Sequence, residues 1–186
     1  RVYFKNDQYF RGDIAQKFNN DYNAPDFLRQ PEPLIQKEFS RIMSLKDGKK
    51  KMSKSDPSDL SRINLLDDNE LMINKIKKAK TDALPMPDEK EDLEKRPEVQ
   101  NLLGIYSSIC NQNLNISIKE FQGKNFAEFK DKLSTLLAEN IGPISKEIKK
   151  LLKDERYLDG ILLEGSRKAD EIASKKIKEM KKLVGF

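Results

Sequence analysis

The strongest constraint on the fold is the helical spacing of apolar residues from about residue 67 to the end of the chain. In successive segments, apolar side chains recur every three or four residues, which places them on one face of an α-helix. The clearest runs are Val99, Leu102, Leu103, Tyr106 and Ile109, followed by Phe126, Phe129, Leu133, Leu136 and Leu137. The pattern predicts a mainly α fold in which amphipathic helices pack into a bundle.

Signals for helix starts and stops divide this region further. Asp67 is predicted to be the N-cap of a helix that ends near Lys80, and Pro97 opens the next helix after a charged connector at residues 84–97. Separate helices are also predicted over residues 126–137, from Pro143, around residues 157–163 and from about residue 166. The side chains predicted to be buried in these later helices include Ile144, Ile148, Leu151, Leu152, Ala169, Ile172, Ala173, Met180 and Leu183.

The first third of the chain has a less regular pattern. A short helix is predicted at residues 13–18, and several prolines predict irregular chain before a short strand at residues 39–45. The change to helical spacing places a domain boundary near residues 60–67. We therefore predict one domain over residues 1–64 and a second over residues 65–186.

Composition excludes several kinds of site. The chain has a single cysteine, Cys110, and no histidine, which excludes an intramolecular disulfide, a cysteine-cluster metal site and histidine catalysis. Thirty-six Lys and Arg residues against 31 Asp and Glu residues give a net charge of +5, which suits a polyanionic partner. No apolar run reaches the roughly 18 residues that span a bilayer, so a cytoplasmic protein without a membrane partner is predicted.

Four lysines lie between residues 49 and 54, directly after Gly48. Lysine ammonium groups suit phosphate, neighbouring serine hydroxyls can donate to phosphate oxygens, and glycine gives a mobile loop its backbone freedom. If the anion is ATP losing pyrophosphate, lysines that grip the leaving group lower the barrier electrostatically. The same composition also fits a solvated basic loop or a nuclear-import-like cluster, and composition alone favours that interpretation.

The order of residues in this loop decides between the interpretations. Residues 51–55 read Lys-Met-Ser-Lys-Ser, the signature of class I aminoacyl-tRNA synthetases, and the flanking residues 41–45 and 56–59 closely resemble those of the tryptophanyl-tRNA synthetases. Further similar segments are residues 66–68, 75–76, 79–82, 96–98, 101–106 and 143–144. The resemblance covers about residues 35–186.

This resemblance implies the end of a class I Rossmann-type α/β catalytic domain, followed by a helical-bundle domain that reads the anticodon. Members of the family activate L-tryptophan with ATP and Mg²⁺, transfer the aminoacyl group to tRNA(Trp), and are usually homodimers. By resemblance, Lys51 and Lys54 are the catalytic residues, which hold the pyrophosphate leaving group. The other implied ATP-binding residues are Met52, which anchors the loop, Ser53 and Ser55, which assist the lysines, and Ile42, whose backbone meets adenine.

Residues 5–8 correspond to a Gly-Glu-Asp-Gln stretch of the family that contributes to ATP and tryptophan binding. Asp7 and Gln8 match this stretch, Asn6 stands in place of its glutamate, and Lys5 replaces its glycine. The resemblance therefore adds Asn6, Asp7 and Gln8 to the expected ATP-binding residues. In the last predicted helix, the lysines expected to face outward, either as a solvated face or towards tRNA phosphates, are Lys168, Lys175, Lys178 and Lys182.

The family's His-Ile-Gly-His motif and first nucleotide-binding strands are expected to lie in an N-terminal half that this sequence does not include. We therefore expect the sequence by itself not to form the adenylate, since a lysine cluster alone cannot position ATP and an amino acid for in-line attack. Two alternatives stay open. One is a tyrosyl-tRNA synthetase relative, and the other is a non-catalytic helical tRNA-binding module, which would bind tRNA in a salt-dependent way but ignore ATP and tryptophan.

Overall fold

The computed structural model describes residues 5–30 and 41–186, with side chains described from residue 13 onward in the first range. Six α-helices contain most of these residues: α1 (Lys5–Asp21), α2 (Asn69–Lys77), α3 (Pro97–Ile109), α4 (Leu114–Phe121), α5 (Phe126–Leu151) and α6 (Glu155–Val184). Two single-turn 3-10 helices lie at Asp59–Ser61 and Glu91–Leu93. The prediction of a mainly α fold is confirmed for the described part of the chain. Among the same residues, none of the helices combines the length and the apolar character that a membrane span requires.

The strand predicted at residues 39–45 was wrong where the structure describes it. Within residues 41–45, the only β-pairing is an isolated antiparallel bridge between Met43 and Lys51. Leu45 instead donates its N–H to the Ser61 carbonyl at 2.9 Å and accepts a hydrogen bond from the Lys80 N–H at 2.8 Å. Ser61 ends a 3-10 helix and Lys80 lies in irregular chain after α2. Because neither partner belongs to a neighbouring strand, the pairing does not continue into a ladder.

The chain divides into two compact units. One contains α1 and α6, and the other, Phe39–Asp154, contains α2 to α5. In the first unit, α1 is longer than the predicted helix at residues 13–18, and the Lys176 ammonium of α6 lies 3.6 Å from the centre of the Phe27 ring. The predicted boundary between residues 64 and 65 separates a catalytic part from an anticodon-binding part, and it stays a prediction.

Three aromatic rings from α3, α4 and α5 form the centre of the second unit. The ring centroids of Tyr106 and Phe121 are 4.9 Å apart and those of Phe121 and Phe129 are 4.8 Å apart, both in edge-to-face geometry. Leu103 and Leu133 are fully buried around them. The apolar spacing therefore located the inward faces of α3 and α5 correctly.

Helix α4 was not predicted. Its N-cap is Asn113, whose side chain accepts a hydrogen bond from the Asn115 N–H at 2.8 Å. Leu114, Ile118 and Phe121 are buried on one face. An asparagine followed by apolar residues at this spacing is a helix signal, although the helix is only 8 residues long.

Helix α5 runs through Pro143, where two separate helices had been predicted. A proline inside a helix costs about 3 kcal/mol because a backbone hydrogen bond is lost. Contacts on both sides offset this cost: Gly142 and Ser145 are buried, and a Cβ on Gly142 would lie 2.3 Å from Oδ1 of Asn69. The helix turns these small residues inward, so Ile144, predicted to be buried, is 48% exposed.

Helix α2 begins one residue later than predicted. Asp68, and not Asp67, is its N-cap, and the Asp68 carboxylate accepts the Leu71 N–H at 2.8 Å. Asp67 is buried, and its carboxylate accepts a hydrogen bond from the Lys75 ammonium at 2.6 Å. The helix ends at Lys77 and not near Lys80, because the Lys80 N–H bonds to Leu45.

Helix α6 is one continuous helix, where a break near residue 164 had been predicted. No residue of α6 is buried, and Ile172, predicted to face inward, is 75% exposed. Ion pairs of Glu164 with Lys168 and of Arg167 with Glu171 link successive turns through the predicted break. Such pairs add helix stability without a packed face, so apolar spacing alone misjudged burial here.

Two leucines, Leu133 within α5 and Leu152 at its C-cap, test this packing directly. We expect Leu133→Ala to lower the free energy of unfolding by about 2–5 kcal/mol, because it removes a fully buried side chain from the core. Leu152→Ala, the same substitution at a 54% exposed side chain, is expected to cost about 0.5 kcal/mol or less. Chemical denaturation followed by circular dichroism measures both values. Equal losses at the two positions would contradict the burial described for α5.

Candidate functional site

Residues 51–55, here called the signature loop, follow a tight turn at residues 46–49. The Ser44 N–H donates to the Lys50 carbonyl at 2.8 Å, and the Lys50 N–H donates to the Asp47 carbonyl at 3.1 Å. The bridge between Met43 and Lys51 continues this pairing by one step. The turn therefore brings the segment before the signature loop alongside the loop itself.

The side chains of the signature loop divide into an outer polar set and one inner apolar residue. The exposed members are Lys51, Ser53, Lys54 and Ser55. Met52 is half-buried against the hydrophobic core, and its N–H donates to the Ile42 carbonyl at 3.0 Å. The Ser53 and Ser55 hydroxyls are 2.9 Å apart, so they lie on the same side of the loop. Two ammonium groups and two hydroxyls are thus exposed on one short segment.

Asn101 of α3 holds the chain that enters the signature loop. Its side-chain oxygen accepts the Met43 N–H at 2.8 Å, and its side-chain amide donates to the Met43 carbonyl at 2.8 Å. Asn101 is buried, and these two partly buried hydrogen bonds satisfy its side-chain amide. This pairing fixes the backbone next to Ile42.

Gly48 packs directly against the first turn of α3. A Cβ at this position would lie 2.5 Å from the Glu98 backbone nitrogen, so only glycine allows the approach. The Glu98 carboxylate in turn accepts a hydrogen bond from the Lys80 ammonium at 2.9 Å. Gly48 was expected to make the loop mobile, but here it holds the turn against the helix.

Four charged residues, here called the exit network, hold the chain that leaves the signature loop: Asp59, Arg62, Asp67 and Lys75. The fully buried Lys75 ammonium lies 2.7 Å from Asp59 and 2.6 Å from Asp67. Arg62 lies 3.3 Å from Asp59 and donates to the Asp56 carbonyl at 2.9 Å. The hydrogen bond from Lys75, followed by that from Asn64, lowers the pKa of Asp59 below its ordinary value, which keeps this carboxylate ionised.

Sequence reasoning assigned no role to the residues that hold the loop, which are Asn101, Glu98, Asp59 and Lys75. One signal was available for Lys75: it falls between Met72 and Ile76 on the apolar face of α2, where a charge needs a partner. The other contacts join segments that are far apart in sequence, as with Asn101 and Met43, and periodicity does not predict them.

The remaining predicted site residues lie in the other compact unit. Asn6, Asp7 and Gln8 are in the first turn of α1, and their side chains are outside the described residues. Lys168, Lys175, Lys178 and Lys182 are exposed on α6, as predicted. Among the described residues there is no cluster of three or more acidic or cysteine side chains that could hold a metal ion.

Comparison with known proteins identifies relatives of this chain. Residues 6–156 match the family described as tRNA synthetases class I (W and Y). The tryptophan–tRNA ligase of Caulobacter vibrioides is 47% identical over 174 residues, which are 94% of this chain and 51% of that protein. The corresponding ligase of Brucella melitensis is 41% identical over an alignment of 192 positions, which covers 94% of this chain and 54% of that protein. The chain thus spans about half the length of the curated relatives it matches.

Two solved structures share the fold. Tryptophanyl-tRNA synthetase from Mycoplasma pneumoniae superposes with a TM-score of 0.78 at 24% identity, over 94% of this chain and 51% of that one. The Campylobacter jejuni enzyme, complexed with ADP and tryptophan, gives a TM-score of 0.64 at 23% identity, over 94% of this chain and 52% of that one. At these identities the likeness establishes the fold.

The contact between Glu98 and Lys80 predicts an acid-dependent loss of stability. The hydrogen bond from Lys80 lowers the pKa of Glu98 from its ordinary 4.5, against the opposing effect of partial burial. A carboxylate whose pKa is lower in the folded state stabilises the fold fully above pH 4.5, and this stabilisation is lost as the pH falls through the folded-state pKa. We expect Glu98→Gln to lower the free energy of unfolding by about 1 kcal/mol at pH 7.

The difference between Glu98→Gln and the unchanged protein should shrink below pH 4.5. Urea denaturation at pH 7, 5, 4 and 3 measures it. Glu147→Gln is the control, because it removes an exposed α5 carboxylate that lies 3.4 Å from Lys150, and it should have little effect at any pH. A difference for Glu98→Gln that stays constant down to pH 3 would refute the ionic contact.

Proposed function

Because the chain belongs to the class I tRNA synthetases for tryptophan and tyrosine, we propose that it acts in the ATP-dependent attachment of L-tryptophan to tRNA(Trp). The observation that carries this proposal is the signature loop, which exposes two lysines and two serines while its ends are held by buried contacts. The relatives that favour tryptophan over tyrosine are tryptophan–tRNA ligases at 41–47% identity.

In this proposal, Lys51 and Lys54 bind the phosphates of ATP that leave as pyrophosphate. The tryptophan carboxylate attacks the α-phosphorus, and the bond between that phosphorus and the bridging oxygen to the β-phosphate breaks. Negative charge then grows on the leaving group, and ammonium groups placed beside it stabilise the transition state more than the ground state. The lysines change no covalent bond themselves.

The other residues in and near the signature loop are proposed to bind ATP together with the lysines or to hold the loop in place. The Ser53 and Ser55 hydroxyls, 2.9 Å apart, can donate to the same phosphate group. Met52 anchors the loop through its half-buried side chain and its hydrogen bond to Ile42. The backbone of Ile42, next to the fixed Met43, is proposed to meet adenine, and Asn6, Asp7 and Gln8 are proposed to contribute to ATP and tryptophan binding.

Mg²⁺ is proposed to accompany ATP and to neutralise its phosphates. Mg²⁺ keeps several waters and binds largely through substrate phosphates, so it needs no protein cage. The donors exposed on the signature loop are ammonium and hydroxyl groups. They suit a phosphate that carries the metal better than the metal itself, so the residues present fit this arrangement.

The helical region at residues 65–186 is proposed to bind tRNA(Trp) and to read its anticodon. The lysines of α6 that are available for phosphate contacts are Lys168, Lys175, Lys178 and Lys182. Such contacts would position the tRNA without reading its sequence. A homodimer and a cytoplasmic location are part of the same proposal, on the basis of the family alone.

Two alternative functions differ in measurable ways. A tyrosyl-tRNA synthetase would use tyrosine in place of tryptophan. A non-catalytic helical module would bind tRNA with strong salt dependence and would not respond to ATP or pyrophosphate. Exposed lysines and serines in signature order are not required by a module that binds only tRNA, and this favours the ligase.

The test uses the chain alone and a chimera in which it replaces the matching part of the Caulobacter vibrioides ligase. We expect the chain to bind inorganic pyrophosphate in isothermal titration calorimetry, and the chimera to catalyse tryptophan-dependent ATP–pyrophosphate exchange. Lys54→Ala should lower the exchange rate on the order of 10²-fold, because it removes stabilisation of the leaving group. Lys78→Ala removes an exposed lysine at the end of α2, and it should change the rate less than about twofold.

Different results would select the other functions. Exchange that depends on tyrosine and not on tryptophan would point to the tyrosyl relative. No pyrophosphate binding by the chain, together with salt-dependent tRNA binding, would support the helical module. Equal exchange by Lys54→Ala and Lys78→Ala would remove Lys54 from the proposed mechanism.

A further inference from the structure

We propose that Lys75 is a positioning residue for the signature loop, acting through Asp59 and Arg62. This inference rests on the proposed phosphate-binding role of the loop. Lys75 lies on α2, twenty residues after the signature loop ends, and its side chain is fully buried. It therefore acts on the loop only through the residues that it contacts.

The partners of Lys75 show why its role extends beyond stability. A buried ammonium group requires a carboxylate, and the buried Asp67, which precedes α2, supplies one at 2.6 Å. Asp67 alone would satisfy the charge within the neighbourhood of α2. The second carboxylate, Asp59 at 2.7 Å, comes from the segment that leaves the signature loop. Lys75 thus joins α2 to the end of the loop.

Arg62 carries the connection back to the loop. Its guanidinium lies 3.3 Å from Asp59 and donates to the Asp56 carbonyl at 2.9 Å and to the Ser58 carbonyl at 3.4 Å. Asp56 directly follows Ser55, the last residue of the signature loop. The series from Lys75 through Asp59 and Arg62 therefore ends on the backbone at the edge of the loop.

Charge balance makes Asp59 the critical member of the exit network. The two carboxylates of Asp59 and Asp67 balance the two cations of Lys75 and Arg62. Without the Asp59 charge, two cations share one carboxylate, and Arg62 loses the ionic partner among the groups that position it. We expect the backbone at residues 53–56 to loosen while α2 keeps its contact with Asp67.

Loosening would weaken phosphate binding without removing any group that touches phosphate. A lysine stabilises a leaving group best if its backbone is held in the binding position before the ligand arrives. If the backbone is displaced, part of the binding free energy is used to restore its position. The opposite end of the loop, held by Asn101, stays intact in this situation. The expected result is a partial loss of affinity, confined to ligands of the loop.

The experiment compares isosteric substitutions of the two carboxylates that contact the same lysine. Asp59→Asn removes the charge on the loop side, and Asp67→Asn removes the charge on the α2 side. A second control is Asp131→Asn. It removes an α5 carboxylate that lies 3.4 Å from Lys77, an exposed lysine on the same helix as Lys75. For each variant of the 186-residue chain, we would measure amide hydrogen exchange of residues 51–56, binding of inorganic pyrophosphate by calorimetry, and the free energy of unfolding.

For Asp59→Asn we expect amide exchange at residues 53–56 to become roughly tenfold faster and pyrophosphate affinity to fall roughly tenfold, the factor for loss of one hydrogen bond to a charged group. Asp67→Asn should lower the free energy of unfolding more, because its carboxylate is buried, but should leave pyrophosphate affinity within about twofold. Asp131→Asn should change none of the three measurements appreciably.

Each outcome decides a separate question. If the unchanged chain binds no pyrophosphate, the proposed function of the loop is overturned, and with it the role of Lys75 in phosphate binding. If the unchanged chain binds pyrophosphate but Asp59→Asn retains its affinity and exchange rates, the positioning role is overturned and the proposed function stands. If amide exchange and pyrophosphate affinity change in proportion to the loss of unfolding free energy in both Asp59→Asn and Asp67→Asn, Lys75 serves stability alone and the inference is wrong.

Discussion

The edge-to-face packing of Tyr106, Phe121 and Phe129 is the interaction on which the second compact unit depends. It fixes α3 against α4 and α5, and α3 carries Asn101 and the first-turn residue Glu98 that hold the chain before the signature loop. An exposed loop has few apolar contacts of its own, so its position is only as well defined as the helix to which it is attached. The aromatic core therefore acts on the loop indirectly, through one buried amide and one carboxylate.

Apolar spacing predicted much of this core because burial follows from side-chain chemistry repeated along a helix. It located the inward faces of α3 and α5, including Leu103 and Leu133. It failed where packing overrides a local rule. A proline usually interrupts a helix, but α5 continues through Pro143 because the small buried residues on both sides of it allow the helix to pass close to Asn69. The apolar positions of α6, such as Ile172, are spaced like those of a buried face and are nevertheless exposed. Spacing identifies a face, but it does not show what covers that face.

The signature loop could be predicted for a different reason, since the order of Lys51 to Ser55 is informative without any structure. The residues that hold the loop in place could not. Gly48 was expected to provide mobility, whereas the structure uses its missing side chain to bring the turn against α3. Asp67 was expected to cap α2, whereas the neighbouring Asp68 does so and Asp67 is buried beside Lys75. In each case the residue type suits two different structural roles, and only the folded structure shows which role it has.

The carboxylates around the loop also distinguish the buried Lys75 from the exposed Lys54. Asp47 accepts the Lys49 N–H at 3.0 Å, and Asp56 accepts the Ser58 N–H at 2.8 Å, so both shape the backbone on either side of the loop. Asp59 is directed to the buried Lys75. The acidic residues nearest to the signature loop thus stabilise its ends, while the Lys54 side chain is exposed to solvent. A buried lysine needs its carboxylates permanently because water cannot solvate it, whereas an exposed lysine can exchange water for a phosphate ligand. Burial, and not the number of lysines in the segment, therefore distinguishes the lysine that positions the loop from the lysines proposed to bind the leaving group.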